Sequence, residues 1–183
     1  DSALRVSKHF DFEPGSHTIG VQYTVTNLAA EAAQLTPFVQ LKRDSSPAPI
    51  ASDAGMGMQP FLGSALTQPD QRFTKFDFED MAEDPFRADL TGGWIAMLQH
   101  YFVSAWVPDP DNTYRFRTRQ TRSGDNIIGY TGPAMVITSG ETTTISNQLY
   151  VGPKNQSVLA DLAKHLDLVV DYGWLWWLSL IHI

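Results

Sequence analysis

The chain has 183 residues, with 13 Lys+Arg against 20 Asp+Glu and a net charge of −7 at pH 7. This balance argues against a nucleic-acid binder, which would need clustered basic charge to neutralise phosphates. Hydrophobic residues are 43% and aromatics 11%, enough to bury a sizeable core in one domain, or one domain with a short appendage, and too many for a disordered chain.

Taken in chain order, the sequence predicts short strands. Asp1 is not followed by a charged n-region or an apolar h-region, so the opening does not read as a signal peptide. Strand-like residues begin at once, Leu4 to Phe12, which suggests that neighbouring strands are encoded upstream. His17 to Asn27 alternates with period two: Ile19, Val21, Tyr23 and Val25 share one face, and Thr18, Gln22, Thr24 and Thr26 the other. That pattern describes a half-buried antiparallel strand. Ala33 to Lys42 repeats it with Leu35, Pro37, Val39 and Leu41 in phase, and its proline points to an edge or a bulge. A Ser/Pro/Ala-rich loop follows from Ser45. An acidic run, Asp77, Glu79, Asp80, Glu83 and Asp84, reads as a solvated face or as oxygen ligands for a hard cation, though without calcium-loop spacing.

Gly92 to Pro108 reads G-G-W-I-A-M-L-Q-H-Y-F-V-S-A-W-V-P, 17 residues without a charge. Exposed, such a stretch would be an aggregation hazard, so it is expected to form a buried hairpin. Tyr114 to Thr118, Asn126 to Tyr130, Ala134 to Thr138 and Thr142 to Val151 are further strands, separated by Gly, Pro, Asp and Ser turns. Short strands without βαβ spacing indicate a sandwich or barrel. After Pro153 an amphipathic helix is predicted, capped by Asn155 or Ser157. Its stripe is Val158, Leu159, Leu162, Ala163 and Leu166, and it runs on toward Val170. The helix fits either a membrane surface or the face of the sandwich. The last twelve residues, from Tyr172, carry no charge and hold Trp174, Trp176 and Trp177. A membrane span needs about 20 apolar residues, so this run fits either a buried terminal segment or the start of a span with an interfacial aromatic belt.

The chemistry on offer is sparse. Without cysteine there are no disulfides, thiolate zinc sites or cysteine nucleophiles, and the compartment stays open. His9, His17, His100, His165 and His182 form no i,i+4 ligand pair. No phosphate loop, dinucleotide fingerprint or G-x-S-x-G elbow is present. Asp109 and Asp111 read as turn formers, and a glycosidase-type carboxylate pair stays open.

The Gly92–Pro108 segment, together with H-L-D-L-V-V-D-Y-G-W-L-W-W-L at His165 to Leu178, closely resembles the YidC membrane protein insertases of Gram-negative bacteria. T-V-T-N at Thr24 to Asn27, Gln40-Leu41-Lys42, Ile128-Gly129-Tyr130 and L-Y-V-G-P at Leu149 to Pro153 extend the resemblance across nearly the whole chain. It implies a portion of an antiparallel β-supersandwich of the galactose-mutarotase-like kind over 1–152, lacking its N-terminal part. An amphipathic helical segment at 153–171 and a truncated transmembrane helix at 172–183 would follow. It implies insertase function without catalytic residues, metal or cofactor. The location would be the periplasmic side of the inner membrane. The partners would be inner-membrane lipid, nascent membrane proteins, the Sec translocon and SecDF. On this reading Tyr172, Trp174, Trp176 and Trp177 lie at the membrane interface, and Trp94, Met97, Gln99, Tyr101, Phe102 and Trp106 form a signature core. The ending Leu180-Ile181-His182-Ile183 departs from the family pattern. A carbohydrate-binding or carbohydrate-active sandwich is the alternative, since fold does not dictate function.

Overall fold

A computed structural model of the chain describes residues 3–47 and 61–170. In chain order the strands are β1 (Leu4–Phe12), β2 (Thr18–Asn27), β3 (Ala33–Leu35), β4 (Phe38–Arg43), β5 (Gly63–Leu66), β6 (Thr74–Phe76), β7 (Arg87–Thr91), β8 (Ile95–Leu98), β9 (Phe102–Val107), β10 (Thr113–Gln120), β11 (Asn126–Thr131), β12 (Met135–Ile137) and β13 (Thr142–Pro153). Helix α1 (Phe78–Glu83) sits between β6 and β7, and helix α2 (Gln156–Leu162) and a 3-10 turn (Leu166–Val169) follow β13.

The strands build a seven-stranded sheet in the order β1-β2-β13-β9-β8-β5-β6, a four-stranded sheet β4-β11-β10-β7, and a small pair β12-β3. Every pairing is antiparallel. The fold is the mainly β, antiparallel sandwich that the strand pattern predicts.

The two large sheets enclose one core. Val21, Leu66, Ile95, Met97 and Trp106 come from the seven-stranded sheet, and Val39, Tyr114, Phe116, Ile128 and Tyr130 from the four-stranded one. A second core lies on the opposite face of the larger sheet. There Ala65, Trp94, Ala96, Leu98, Val103, Ala105 and Tyr150 receive Leu159, Leu166 and Val169 from the C-terminal segment. Successive strand residues point to opposite faces. Thus Ile95 and Met97 serve one core while Ala96 and Leu98 serve the other. This explains the uncharged stretch at 92–108: its hairpin is buried on both sides.

Three differences from the sequence reading have physical causes. The strand predicted over 33–42 is broken at Pro37, which has no N–H for a ladder. Its first part pairs with β12 and its second with β11. The acidic run is exposed, as a solvated face requires, but it also forms a helix that the sequence reading left out, α1, in which Asp77 and Asp80 form a reciprocal capping box. Asp77, Glu79 and Asp80 sit at the positive end of the helix dipole, and Glu83 and Asp84 at the other. Finally, the helix predicted toward Val170 is two short pieces. Ala163 is extended and His165 is left-handed, with φ of 68°, so the helix stops before the 3-10 turn. Most of the stripe, Leu159, Leu162, Ala163 and Leu166, packs with Val169 on the sandwich, while Val158 and Leu168 stay exposed. Strands β5, β6 and β7 were not predicted.

Gly129 shows why the Ile128-Gly129-Tyr130 motif carries glycine. A Cβ there would lie 2.6 Å from the Val39 carbonyl on the neighbouring strand. Among the described residues no helix is long and apolar enough to cross a membrane.

Candidate functional site

The signature hairpin is where the sandwich and the C-terminal segment meet. Trp94 is 1% exposed and closes the second core. Its indole N–H donates to the Lys164 carbonyl at 3.1 Å, and its ring lies 6.0 Å from that of Phe73. The bond captures a carbonyl at the point where the helix has ended, so the break in the C-terminal segment is tied to the start of β8. Met97 and Trp106 are buried between the sheets, as a core role requires.

Gln99, Tyr101 and Phe102 are not core. The last β8–β9 ladder pair is Leu98 with Val103, so Gln99 to Tyr101 form the turn and Phe102 opens β9, where it pairs with Pro153. Tyr101 and Phe102 are 56% and 55% exposed, and Gln99 is exposed as well. The turn is nonetheless ordered by backbone bonds. Gln99 N–H donates to the Phe102 carbonyl, and Lys154 N–H donates to the Tyr101 carbonyl just before α2. Tyr172, Trp174, Trp176 and Trp177 lie outside the described residues.

Asn27, the last residue of the T-V-T-N motif, has a role that its motif did not reveal. It is fully buried at the end of β2. Its Nδ2 donates to the carbonyls of Glu31 at 2.8 Å and Ile137 at 2.9 Å, and its Oδ1 accepts from the Ala29 N–H at 3.0 Å. The side chain thus fastens the turn after β2 to β12. The signal available in the sequence was a polar residue in phase with Ile19 to Val25.

Candidate reactive groups are scattered. Among the described residues no group of three or more His, Asp or Glu is placed to hold a metal ion. Asp109 accepts from the Asp111 backbone N–H at 3.0 Å, an Asx-type turn. Asp89 is held below the usual aspartate range by its hydrogen bonds to the Arg115 guanidinium, and Asp125 likewise by Lys42 and then Ser123. The Asp89–Arg115 pair is exposed on the four-stranded sheet and contributes little to stability; the Lys42–Asp125 pair ties β4 to the turn before β11. His9, Asp11 and Asp109 do line one cavity of about 590 Å³, with Gln22, Ser146 and Gln148.

The comparisons with known proteins agree with this architecture. Residues 1–181 match the family described as the YidC periplasmic domain. The chain belongs to that family. Proteins named membrane protein insertase YidC are similar to it throughout. The protein from Marinomonas sp. (strain MWYL1) is 43% identical over 96% of this chain, and that from Pseudoalteromonas atlantica 39% over 97%. The protein from Cellvibrio japonicus is 36% identical over 97%. The chain covers 32% of each of these relatives, so it spans about a third of their length. Among solved structures, a galactose mutarotase-like protein from Lactobacillus casei superimposes with a TM-score of 0.54 at 8% identity. That match covers 81% of this chain and 63% of the other and concerns the fold alone. Within the YidC periplasmic domain, then, the signature hairpin has a structural meaning: it is the wall shared by the sandwich core and the C-terminal segment.

Proposed function

We propose that this domain is the periplasmic scaffold of a membrane protein insertase, holding the outer face of the inner membrane beside nascent membrane proteins. It would act by placement and contact, without covalent chemistry or cofactor. The observation that carries this reading is the docking of α2 and the 3-10 turn on the sheet through Trp94, Leu159, Leu166 and Val169. That docking fixes the sandwich to a segment whose sequence leads, within two residues of Val170, into Tyr172, Trp174, Trp176 and Trp177. Amphipathic aromatic rings favour the headgroup level of a bilayer. The domain would thereby stand at a set height above the membrane. On this reading 1–152 is the sandwich, 153–171 its bridge to the bilayer, and 172–183 the entry into the lipid. The exposed Tyr101 and Phe102 at the hairpin tip offer a contact surface for substrate, the Sec translocon or SecDF.

The full chain is expected to co-sediment with phospholipid vesicles. Replacing Trp174, Trp176 and Trp177 together by alanine is expected to abolish most of that binding with the β-sheet circular dichroism unchanged. Equal vesicle binding by both chains would refute anchoring by these residues.

A second reading has one observation in its favour. The cavity lined by His9, Asp11 and Asp109 combines carboxylates, an imidazole and the amides of Gln22 and Gln148, groups suited to sugar hydroxyls. Calorimetric titration with a panel of hexoses and their oligomers tests it. Saturable heat that disappears on Asp11→Asn would support carbohydrate binding, and no heat at millimolar sugar would end it.

A further inference from the structure

In the four-stranded sheet the inward residues of β10, Tyr114, Phe116 and Thr118, are buried, so its arginines all stand on the outer face. Five of the chain's 13 Lys and Arg residues share that face: Lys42, Arg87, Arg115, Arg117 and Arg119. The ladder fixes how close they are. Arg115 lies opposite Asp89 and Arg117 opposite Arg87, and Arg119 follows Arg117 by two residues along β10. Thr118 N–H donates to the Phe86 carbonyl at 3.0 Å, and Gly92 N–H to the Asn112 carbonyl at 2.9 Å. Those two contacts mark the hydrogen-bonded pairs. By alternation, Asp89–Arg115 and Arg87–Arg117 are the intervening pairs, whose side chains approach more closely. Their Cβ atoms are about 5 Å apart, and successive outward residues along β10 are about 6.7 Å apart.

One of these two rows is complete. Asp89 receives the Arg115 guanidinium through Nε at 2.8 Å and Nη2 at 3.3 Å, a bidentate pair. Arg87 also attracts the Asp89 carboxylate, but less than Arg115 does. In the next row two guanidinium groups face each other, and no carboxylate of a described residue bonds either. An exposed arginine needs no partner. Like charges directly opposite each other in a ladder, however, cost stability. We propose that this face binds an extended acidic segment of a partner protein. One carboxylate of the segment lies between Arg87 and Arg117, as Asp89 lies against Arg115, and a second, two residues further on, meets Arg119. An extended chain repeats on one side every two residues, which is the spacing of the arginines on β10. The planar guanidinium fork matches a carboxylate in this geometry.

Other polyanions fit less well. Helix α2 and the 3-10 turn pack on the far face of the larger sheet, so the arginines occupy the opposite outer surface of the stack. A bilayer entered through the C-terminal segment does not also lie flat against them. That argument rests on the anchoring reading above; the row of arginines and its spacing do not. A long nucleic-acid backbone would meet the repulsion of a chain of net charge −7.

The test uses the full chain and two synthetic peptides with the same number of glutamates among threonines, placed at every second or every third position. Fluorescence anisotropy at low ionic strength is expected to show the first peptide binding about fivefold more tightly, and more weakly as salt is added. Arg87→Ala with Arg117→Ala is expected to weaken its binding about tenfold. Arg5→Ala with Arg72→Ala removes the same charge from the larger sheet and is expected to leave binding unchanged. Equal affinity of the two peptides, or equal loss in both double variants, would overturn the site. Arg117→Glu supplies the missing carboxylate within the chain. It is expected to raise the melting temperature by about 2 °C while abolishing peptide binding. A melting temperature that does not rise would remove the like-charge argument and the site with it. Phosphatidylglycerol vesicles and a single-stranded oligonucleotide decide the class of partner. Binding of either that exceeds peptide binding and is lost in the Arg87 and Arg117 double variant would reject a protein partner. Self-association of the chain alone, lost in the same variant, would assign the face to a second copy instead. Absence of all vesicle binding, with the peptide effects intact, would refute the anchoring function and leave this site standing.

Discussion

Trp94→Ala is expected to lower the stability of the domain by about 3–5 kcal/mol, the usual range for removing a buried aromatic side chain. The residue is 1% exposed and is the largest fully buried side chain among the described residues. It fills the second core between Phe73 and the C-terminal segment. The substitution also releases the Lys164 carbonyl, so α2 and the 3-10 turn lose a hydrogen bond as well as their main packing partner. Trp94→Phe separates the two effects. It retains most of the apolar volume and is expected to cost less than the alanine variant, with about 1 kcal/mol of its loss due to the hydrogen bond. Urea denaturation measures both, and hydrogen exchange locates the damage. Protection is expected to fall first at residues 159–169, before the core between the sheets opens. Uniform loss across both cores would show that the C-terminal segment and the sandwich unfold as one unit.

Asn27→Ala is expected to cost about 2–4 kcal/mol, for a different reason. Little apolar surface is lost. Instead the carbonyls of Glu31 and Ile137 and the N–H of Ala29 lose their partner, and each buried orphan costs about 1–3 kcal/mol unless water reaches it. Asn27→Asp is not a rescue, because its carboxylate would face two carbonyl oxygens. Thr26→Ala beside it is the control. Its hydroxyl meets that of Thr142 at 2.9 Å in an exposed pair, and the expected change is within about 0.5 kcal/mol. Thermal melts of the three variants decide the matter. A small effect of Asn27→Ala would show that water replaces the amide at the β2 turn.

The strands that declared themselves in the sequence are mostly the longer ones rich in β-branched and aromatic residues. Strand β1 is exposed on nearly every residue and β11 buried on nearly every one, yet both were legible, whereas the short β7 was missed although its burial alternates. Alternation is clearest in β13, where Thr142, Thr144, Ser146 and Gln148 are exposed, and weaker in β2, where of the polar face only Gln22 is fully exposed. Strands β5 and β8 lie in the middle of the larger sheet with a core on each side, so their four residues are all buried and carry no period. The 92–108 run still announced burial through its lack of charge. Its turn did not: Tyr101 and Phe102 look like core residues by type, and only the structure reveals that Tyr101 lies in the turn and that Phe102, at the start of β9, faces solvent. The C-terminal helix was legible in its stripe and its Asn155 cap, whose side chain accepts from the Val158 N–H. Its early end was not, because it depends on a bond to Trp94, seventy residues away. For the same reason the facing of Arg87 and Arg117 could not be read from spacing; it exists only because β7 and β10 pair in this register. The family motifs located the hairpin correctly without saying which of its residues point inward.

The hairpin of β8 and β9, with its neighbour β5, gives the domain two mechanical adjustments on opposite faces of the same strands. Ala65, Ala96 and Ala105 form the floor beneath α2, and their smallness sets how closely the segment can seat. Ile95, Met97 and Trp106, their immediate neighbours, set the spacing of the two sheets. A methyl added on the alanine side would lift the downstream chain and leave the sandwich as it is. The grip on the C-terminal segment can therefore be tightened or slackened by substitutions one residue apart from those that decide whether the domain folds at all.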